Sequence, residues 1–364
     1  MRLVSLELRN FRNYRWLDLE PGPELTIFLG ANGQGKTNLL ESVALLALSA
    51  SPRARRESEL VGPVAHEARL GALIESGERR SEIRITISVE GERTRRRIEV
   101  DGRPTRTLDL PGHFRVTLFW PEDLNLIKAG PEHRRRLLNQ VLVQVRPGYA
   151  RSLSGYQRVL EQRNALLKRV AVGEQALSSL EVWDLELARL GAGLVEARRQ
   201  AVAALGVIAP RGHSALSGGE VLELEYSGPP DDLLEALHAV TRDDLRRGST
   251  GVGPHRDDIL IRLNGRDARA FASQGQQRTA VVSIKLAEAA LVAEMTGERP
   301  VLLLDDVLSE LDARRRTSLL EQLGKGGQVM VTSVEADPFP PGMMAASQVM
   351  CVECGLVKSC GQAE

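Results

Sequence analysis

The run Gly30-Ala31-Asn32-Gly33-Gln34-Gly35-Lys36-Thr37 constrains this chain more than any other feature. It fits the pattern Gly-x4-Gly-Lys-[Ser/Thr], and it stands where that pattern has to stand, between a strand and a helix. Leu25-Thr26-Ile27-Phe28-Leu29 ahead of it is a short apolar run that reads as a buried strand. Asn38 to Leu48 behind it has helical composition. Glycines let the backbone curl so that successive N–H groups converge on phosphate oxygens, and the helix N-terminus adds the positive end of its dipole. In such a loop Lys36 reaches the β- and γ-phosphates of a nucleoside triphosphate, and the Thr37 hydroxyl ligates Mg²⁺.

A second element completes that chemistry. Leu302-Leu303-Leu304-Asp305-Asp306 reads as an apolar strand that delivers a carboxylate at its carboxyl end, where open α/β sheets bind ligands. Asp305 is expected to hold Mg²⁺, directly or through water, and Asp306 to orient or deprotonate the attacking water. Two loops compete for a third role. Leu216-Ser217-Gly218-Gly219-Glu220 and Ser273-Gln274-Gly275-Gln276 both resemble the signature loop of ABC-type ATPases. Such a loop opens a helix that leads within a few dozen residues to the Asp-bearing strand. Ser273 lies 32 residues before Asp305 and precedes a helical stretch at 276–296, whereas Ser217 lies 88 residues before it. The role goes to Ser273, Gly275 and Gln276, and the Ser217 loop is expected to be a turn.

The rest of the chain reads as one α/β unit split by a helical insert. Residues 4–8 and 17–19 alternate with period two and predict strands, and 69–120, as in Ile83, Ile85, Ile87 and Val89, predicts an antiparallel sheet flanking the first unit. Residues 132–145, 149–170 and 176–205 are helical, with Leu180, Trp183, Leu187, Leu190 and Leu194 on one face. Strands return at 259–263, 301–304 and 329–332, with a helix at 311–323. The expected division is a split ATPase head, 1–120 and 248–364, around a helical lobe, 121–247. The fold class is α/β, an ABC-type head with a mixed sheet, flanking helices and an antiparallel β subdomain. A length of 364 residues suits two lobes, at roughly 150 residues per domain.

Composition narrows the function. Lys+Arg and Asp+Glu both number 48, so bulk attraction to nucleic acid is excluded. Basic residues still cluster, at Arg53/Arg55/Arg56, Arg93/Arg95/Arg96/Arg97 and Arg134/Arg135/Arg136. Each cluster could follow a phosphate backbone or be an ordinary solvated face. At 4% aromatic residues, a base-stacking platform for single strands is disfavoured. The uncharged run 338–352 is interrupted by Pro340 and Pro341 and is too short to span a bilayer. The charged N-terminus does not read as a signal peptide, so the expected compartment is the cytoplasm. Cys351, Cys354 and Cys360 lack a fourth ligand for zinc and read as a strand end and a loose tail.

Taken together, the phosphate loop, the Ser-x-Gly-Gln loop, Asp305-Asp306-Val307-Leu308-Ser309-Glu310-Leu311-Asp312 and Gly253-Pro254-His255-Arg256-Asp257-Asp258 resemble the RecF family of SMC-related ATPases. Phe119-Trp120-Pro121-Glu122-Asp123-Leu124 and the opening Leu8-Arg9-Asn10-Phe11-Arg12-Asn13-Tyr14 fit as well. The resemblance implies two heads face to face around two ATP molecules. The Ser273 loop of one head would touch the γ-phosphate held by Lys36 of the other, and Asp312 would lie in the loop that communicates between them. It implies an ATP-dependent homodimer that clamps DNA, favouring duplex near single-strand gaps. It further implies work with RecR and RecO, and through them RecA, in recombinational repair and at stalled replication. Hydrolysis would be weak and DNA-stimulated, acting as a switch that opens the clamp. Asp306 stands where transporter-type ABC ATPases carry Glu, Thr332-Ser333 replaces the usual switch His, and no Q-loop Gln is evident near Glu122 and Asp123. His255 and Arg256 could face phosphate or cap a turn. The alternative, an ATPase subunit of a membrane transporter, would want a switch His and a Leu-Ser-Gly-Gly-Gln loop close before the Asp strand. A P-loop kinase or GTPase would need no Ser273 loop. An SMC-like scaffold would need a longer arm than this insert supplies.

Overall fold

Leu25–Leu29 forms strand β3, and its centre is wholly buried, which explains why Thr26, Ile27 and Phe28 do not alternate with exposed polar residues. The computed structural model describes residues 1–323 and 326–360. On one side of β3 lies β13 (Val329–Ser333), followed by β12 (Val301–Asp305) and β8 (Val116–Phe119), all parallel. On the other side lies β14 (Gln348–Glu353), also parallel, with β15 (Leu356–Ser359) antiparallel at the edge. The carboxyl ends of β3, β12 and β13 therefore share one rim.

A second, antiparallel sheet runs in the order β2-β1-β4-β5-β6-β7. Its strands are β1 (Arg2–Phe11), β2 (Tyr14–Leu19), β4 (Glu67–Ser76), β5 (Arg79–Glu90), β6 (Arg93–Val100) and β7 (Arg103–Pro104). Ile83, Ile85 and Ile87 point into the core and pair with β6, where Ile98 faces Ile85 and Glu99 faces Arg84. Between the two sheets lies α1 (Lys36–Leu48), with ten of its 13 residues buried. A helix apolar on every side can only be stable when covered on every side.

The helical lobe holds α2 (Asn125–Lys128), α3 (Pro131–Val145), α4 (Tyr149–Ala171), α5 (Glu181–Ser217) and α6 (Leu233–Arg247). Leu180, Leu187 and Leu194 are buried, as the helical spacing predicts. α5 continues past the expected end at 205, through Pro210, because Ala209, His213 and Leu216 are buried on it. Tertiary packing here overrides local propensity. The lobe also contains a small sheet in which β10 (Asp258–Leu263) pairs with β9 (Leu222–Ser227) and β11 (Arg266–Asp267). That pairing joins strands on either side of residue 248. After α7 (Ala268–Phe271), α8 (Gln274–Thr296) contributes Ala280, Ile284 and Leu291 to the core that α5 also lines. α9 (Ala313–Leu323) and α10 (Pro341–Ala345) cover the remaining face of the parallel sheet.

The C-terminal cysteines do not lie on a loose tail. β14 and β15 form a hairpin against β3, with Val352 buried and Cys351 joined to Cys360 by a disulfide. Pairing with β3 supplies the backbone partners that anchor this segment.

Candidate functional site

Gly30–Thr37 links β3 to α1 on the rim of the parallel sheet. Gly33 and Gly35 adopt φ of +80° and +116°, which a side chain strongly disfavours. A Cβ at Gly35 would also lie 2.5 Å from the Asn13 Nδ2, and one at Gly30 would lie 2.3 Å from the Val352 carbonyl oxygen. The loop is thus braced from two sides. Asn13 Nδ2 donates to the Gln34 carbonyl at 3.0 Å, and the Tyr14 hydroxyl donates to the Gly35 carbonyl at 3.0 Å. From the C-terminal hairpin, the Cys354 N–H donates to Gln34 Oε1 at 2.7 Å and the Gly355 N–H to the Gln34 carbonyl at 3.0 Å. Ala31, Asn32 and Gly33 at the crest remain exposed. Lys36 Nζ donates to the carbonyls of Gly30 and Ala31. Burial lowers its pKa, and the nearby Asp306 and Asp305 oppose that shift.

Asp305, at the end of β12, meets this loop. The Thr37 hydroxyl donates to it at 2.9 Å from Oδ2, and the Thr332 hydroxyl, from β13, lies 2.8 Å from Oδ1. Thr332 Oγ1 also accepts from the Asp306 N–H at 3.0 Å. Burial raises the Asp305 pKa, against the hydrogen bonds from Thr332 and Thr37. Asp306 itself takes a left-handed φ of 52°. A hydroxyl and a carboxylate oxygen already in contact are hard oxygen donors of the kind Mg²⁺ selects, so these residues fit that ion. A cavity of about 250 Å³ adjoins Asp305 and Asp306, walled by Trp120, Pro121, Arg278 and Leu311. In the segment after β8, half-buried Asp123 accepts from the Trp120 N–H at 2.8 Å, and desolvation raises its pKa.

Ser273 is the N-cap of α8. Its hydroxyl accepts from the Gln276 N–H at 3.3 Å, and the Gln276 side-chain oxygen accepts from the Ser273 N–H at 2.8 Å. This reciprocal box leaves Ser273 exposed. The Ser217 loop is a turn that ends α5, with Gly218 left-handed. It nevertheless touches its rival, because Gln276 Nε2 donates to Glu220 Oε1 at 2.8 Å. Asp312 caps α9 through the Arg315 N–H at 2.9 Å, which lowers its pKa. Among the described residues, no hydrogen bond or ion pair links Ser273–Gln276 to Gly30–Thr37.

The Gly253–Asp258 run turns inward. His255 Nε2 lies 3.0 Å from the Thr250 carbonyl and Nδ1 2.7 Å from the Tyr156 hydroxyl. The first contact needs an Nε2–H donor, so Nδ1 accepts from the tyrosine. Asp257 is buried between Arg198 Nη1 at 2.8 Å and the Tyr226 hydroxyl at 2.7 Å, and Asp258 pairs with Arg134 at 2.9 Å. Only Arg256 of this run is well exposed. Of the basic clusters, Arg134 is committed to Asp258, and Arg96 to Glu57 at 2.7 Å and to the Ser49 carbonyl. Arg55, Arg56, Arg93 and Arg95 are exposed. Thr332 stands in the place of the usual switch His, whereas the braces from Asn13 and the 354–355 turn had no local sequence signal that marked them as neighbours of the phosphate loop.

The RecF/RecN/SMC N terminal domain family matches residues 2–354. A DNA replication and repair protein RecF from Heliobacterium modesticaldum is 39% identical over 368 residues, covering 98% of each chain. Among solved structures, "the recombination mediator protein RecF-ATPrS in RecFOR pathway" superposes with a TM-score of 0.90 at 32% identity, covering 99% of this chain and 98% of that one. The corresponding RecF-ATP structure gives a TM-score of 0.89 at 32% identity, with 98% and 97% covered.

Proposed function

Since this chain belongs to the RecF family of SMC-related ATPases, we propose that it is an ATP-dependent DNA-binding protein of replication and repair whose nucleotide site is completed by a second copy. Family membership sets aside the transporter-subunit reading, and no helix among the described residues is long and apolar enough to cross a membrane. The observation that carries the shared site is the separation within one chain. The phosphate loop, Thr37 and Asp305 form one contacting group, while Ser273 stands exposed on another element with no bond to that group among the described residues. A capped loop with Ser273 exposed is available to a partner.

In this reading the N–H groups of residues 30–37 and the Lys36 ammonium hold the triphosphate. Thr37 and Asp305 would hold Mg²⁺, which when bound neutralises phosphate charge. Thr332 keeps the Asp305 carboxylate oriented. Asp306 positions the attacking water and accepts its proton; its shorter side chain suits a slow switch. Ser273, Gly275 and Gln276 of the partner close over the γ-phosphate. Closure joins two copies around duplex DNA near a gap, with exposed Arg55, Arg56, Arg93 and Arg95 as candidate phosphate contacts. RecR and RecO are the protein partners supported by the RecFOR-pathway relative, with RecA downstream and the cytoplasm as the setting.

Sedimentation velocity with and without ATP, on gapped duplex, tests the proposal. ATP should convert monomer to dimer, and Ser273→Arg should bind ATP yet stay monomeric. Normal dimerisation of Ser273→Arg would end the shared-site reading.

A further inference from the structure

The turn at Leu216–Glu220 lies against the Ser273–Gln276 loop. Glu220 Oε1 accepts from Gln276 Nε2 at 2.8 Å, and this is the one side-chain bond tying Gln276 to a different element among the described residues. Glu220 is itself held in place. Its N–H donates to the Ser217 hydroxyl at 3.1 Å, and the next N–H, of Val221, donates to Asn264 Oδ1 at 2.9 Å. Its second oxygen, buried and without a hydrogen-bond partner among the described residues, lies 3.5 Å from Nε2 of His213. His213 is 0% exposed, and its other ring nitrogen lies 3.1 Å from the Ser283 hydroxyl on α8. A buried histidine, a capped turn and the start of a strand thus hold one carboxylate rigidly beneath the Gln276 side chain.

The same place borders the start of α9. A Cβ at Gly218 would lie 3.3 Å from Arg314 Nη2, and one at Gly275 3.1 Å from Arg315 Nη1, the arginine paired with Asp312 at 2.9 Å. Glycine at both positions lets the two loops and α9 approach closely.

We propose that Glu220 is a positioning residue for the nucleotide site of a second copy. It fixes the Gln276 side chain, Gln276 in turn caps the Ser273 N–H, and the Ser273–Gln276 loop is held ready to close on the partner's phosphates. The inference rests on the shared-site reading above. Supporting groups of this kind act through geometry, so their loss weakens a site without removing any group that touches the ligand.

Glu220→Met keeps side-chain length and removes the acceptor, and Glu220→Gln keeps an acceptor oxygen. Two quantities are measured for each: ATP affinity by equilibrium dialysis at protein concentrations where the chain is monomeric, and ATP-dependent self-association by sedimentation. Glu220→Met should weaken self-association about tenfold, the order of one hydrogen bond to a charged group. Monomer ATP affinity should stay within about twofold, and Glu220→Gln should restore association, because only the Gln276 contact is at stake. If Glu220→Met unfolds, Glu220→Ala carries the same test. Wild-type association of the folded acceptor-less variant, with Ser273→Arg still failing to associate, overturns this inference alone. Wild-type association of Ser273→Arg overturns the shared site and this inference with it.

Discussion

The Thr332 hydroxyl lies 2.8 Å from Asp305 Oδ1 and simultaneously accepts the Asp306 N–H at 3.0 Å. One hydroxyl on β13 therefore holds the Asp305 carboxylate at the end of β12 and the backbone of the residue that follows it. Thr332→Val removes both bonds and keeps the shape. ATP turnover should fall by roughly 10- to 100-fold, the usual cost of losing a partner that orients a metal-binding carboxylate. ATP binding measured in EDTA should be unchanged, and an equal loss in EDTA would refute the assignment.

Lys36 is held by two carbonyls of its own loop and is the one loop side chain with a charge to offer phosphate. Lys36→Arg keeps the charge but replaces a compact ammonium by a broad planar group. Phosphate release should drop by about 100-fold, as when one pre-aligned transition-state donor is lost. A fluorescent ATP analogue should still bind, and retained turnover would be inconsistent with the role.

Arg198 pairs with buried Asp257 at 2.8 Å and also donates to the Pro254 carbonyl. Arg198→Met leaves that carboxylate unpaired next to Tyr226. Breaking one half of a buried pair costs about 3–5 kcal/mol, so the urea midpoint should fall clearly. An unchanged midpoint would show that Asp257 is solvated or protonated without cost.

Burial lowers the pKa of His255 below its ordinary 6.5. The unfolded chain then binds the proton more readily than the folded one. Stability from this group is complete above pH about 6.5 and declines as pH falls from there towards the depressed folded value. His113 and His213 are shifted the same way by burial, so they share the acid limb. His255→Gln should lose stability at pH 7.5 yet show a smaller further loss between pH 7.5 and 5 than the parent. Thermal melts at the two pH values measure this, and an identical pH slope would exclude His255 from the acid limb.

What could be read in the chain depended on whether the partners were neighbours in sequence. The phosphate loop, Asp305 and the capping pair Ser273–Gln276 are contiguous patterns with a local geometric meaning, and the elements around them fell within a few residues of the expected limits. The length of α5 was not legible, because Pro210 and Gly206 argue locally for an end while burial against α8 argues for continuation. The hairpin at 348–359 was missed for the same reason, since its partner strand is β3. Thr332, Asn13 and Glu220 stand in runs the sequence singles out, but their contacts were not legible, as each acquires its partner only when a distant strand, turn or helix is brought beside it. The inward-facing Gly253–Asp258 run was ambiguous until Arg198, Tyr226 and Tyr156 supplied its partners.

Gln34 is gripped by Asn13 from near the start of the chain and by Cys354 and Gly355 from near its end. A polypeptide emerging from a ribosome can form the first of these contacts early but has to wait for the second until Cys354, 320 residues beyond Gln34, has been made. The phosphate loop consequently gains this clasp long after its own residues are made, and a copy truncated before Cys354 would carry the glycine-lysine motif without it.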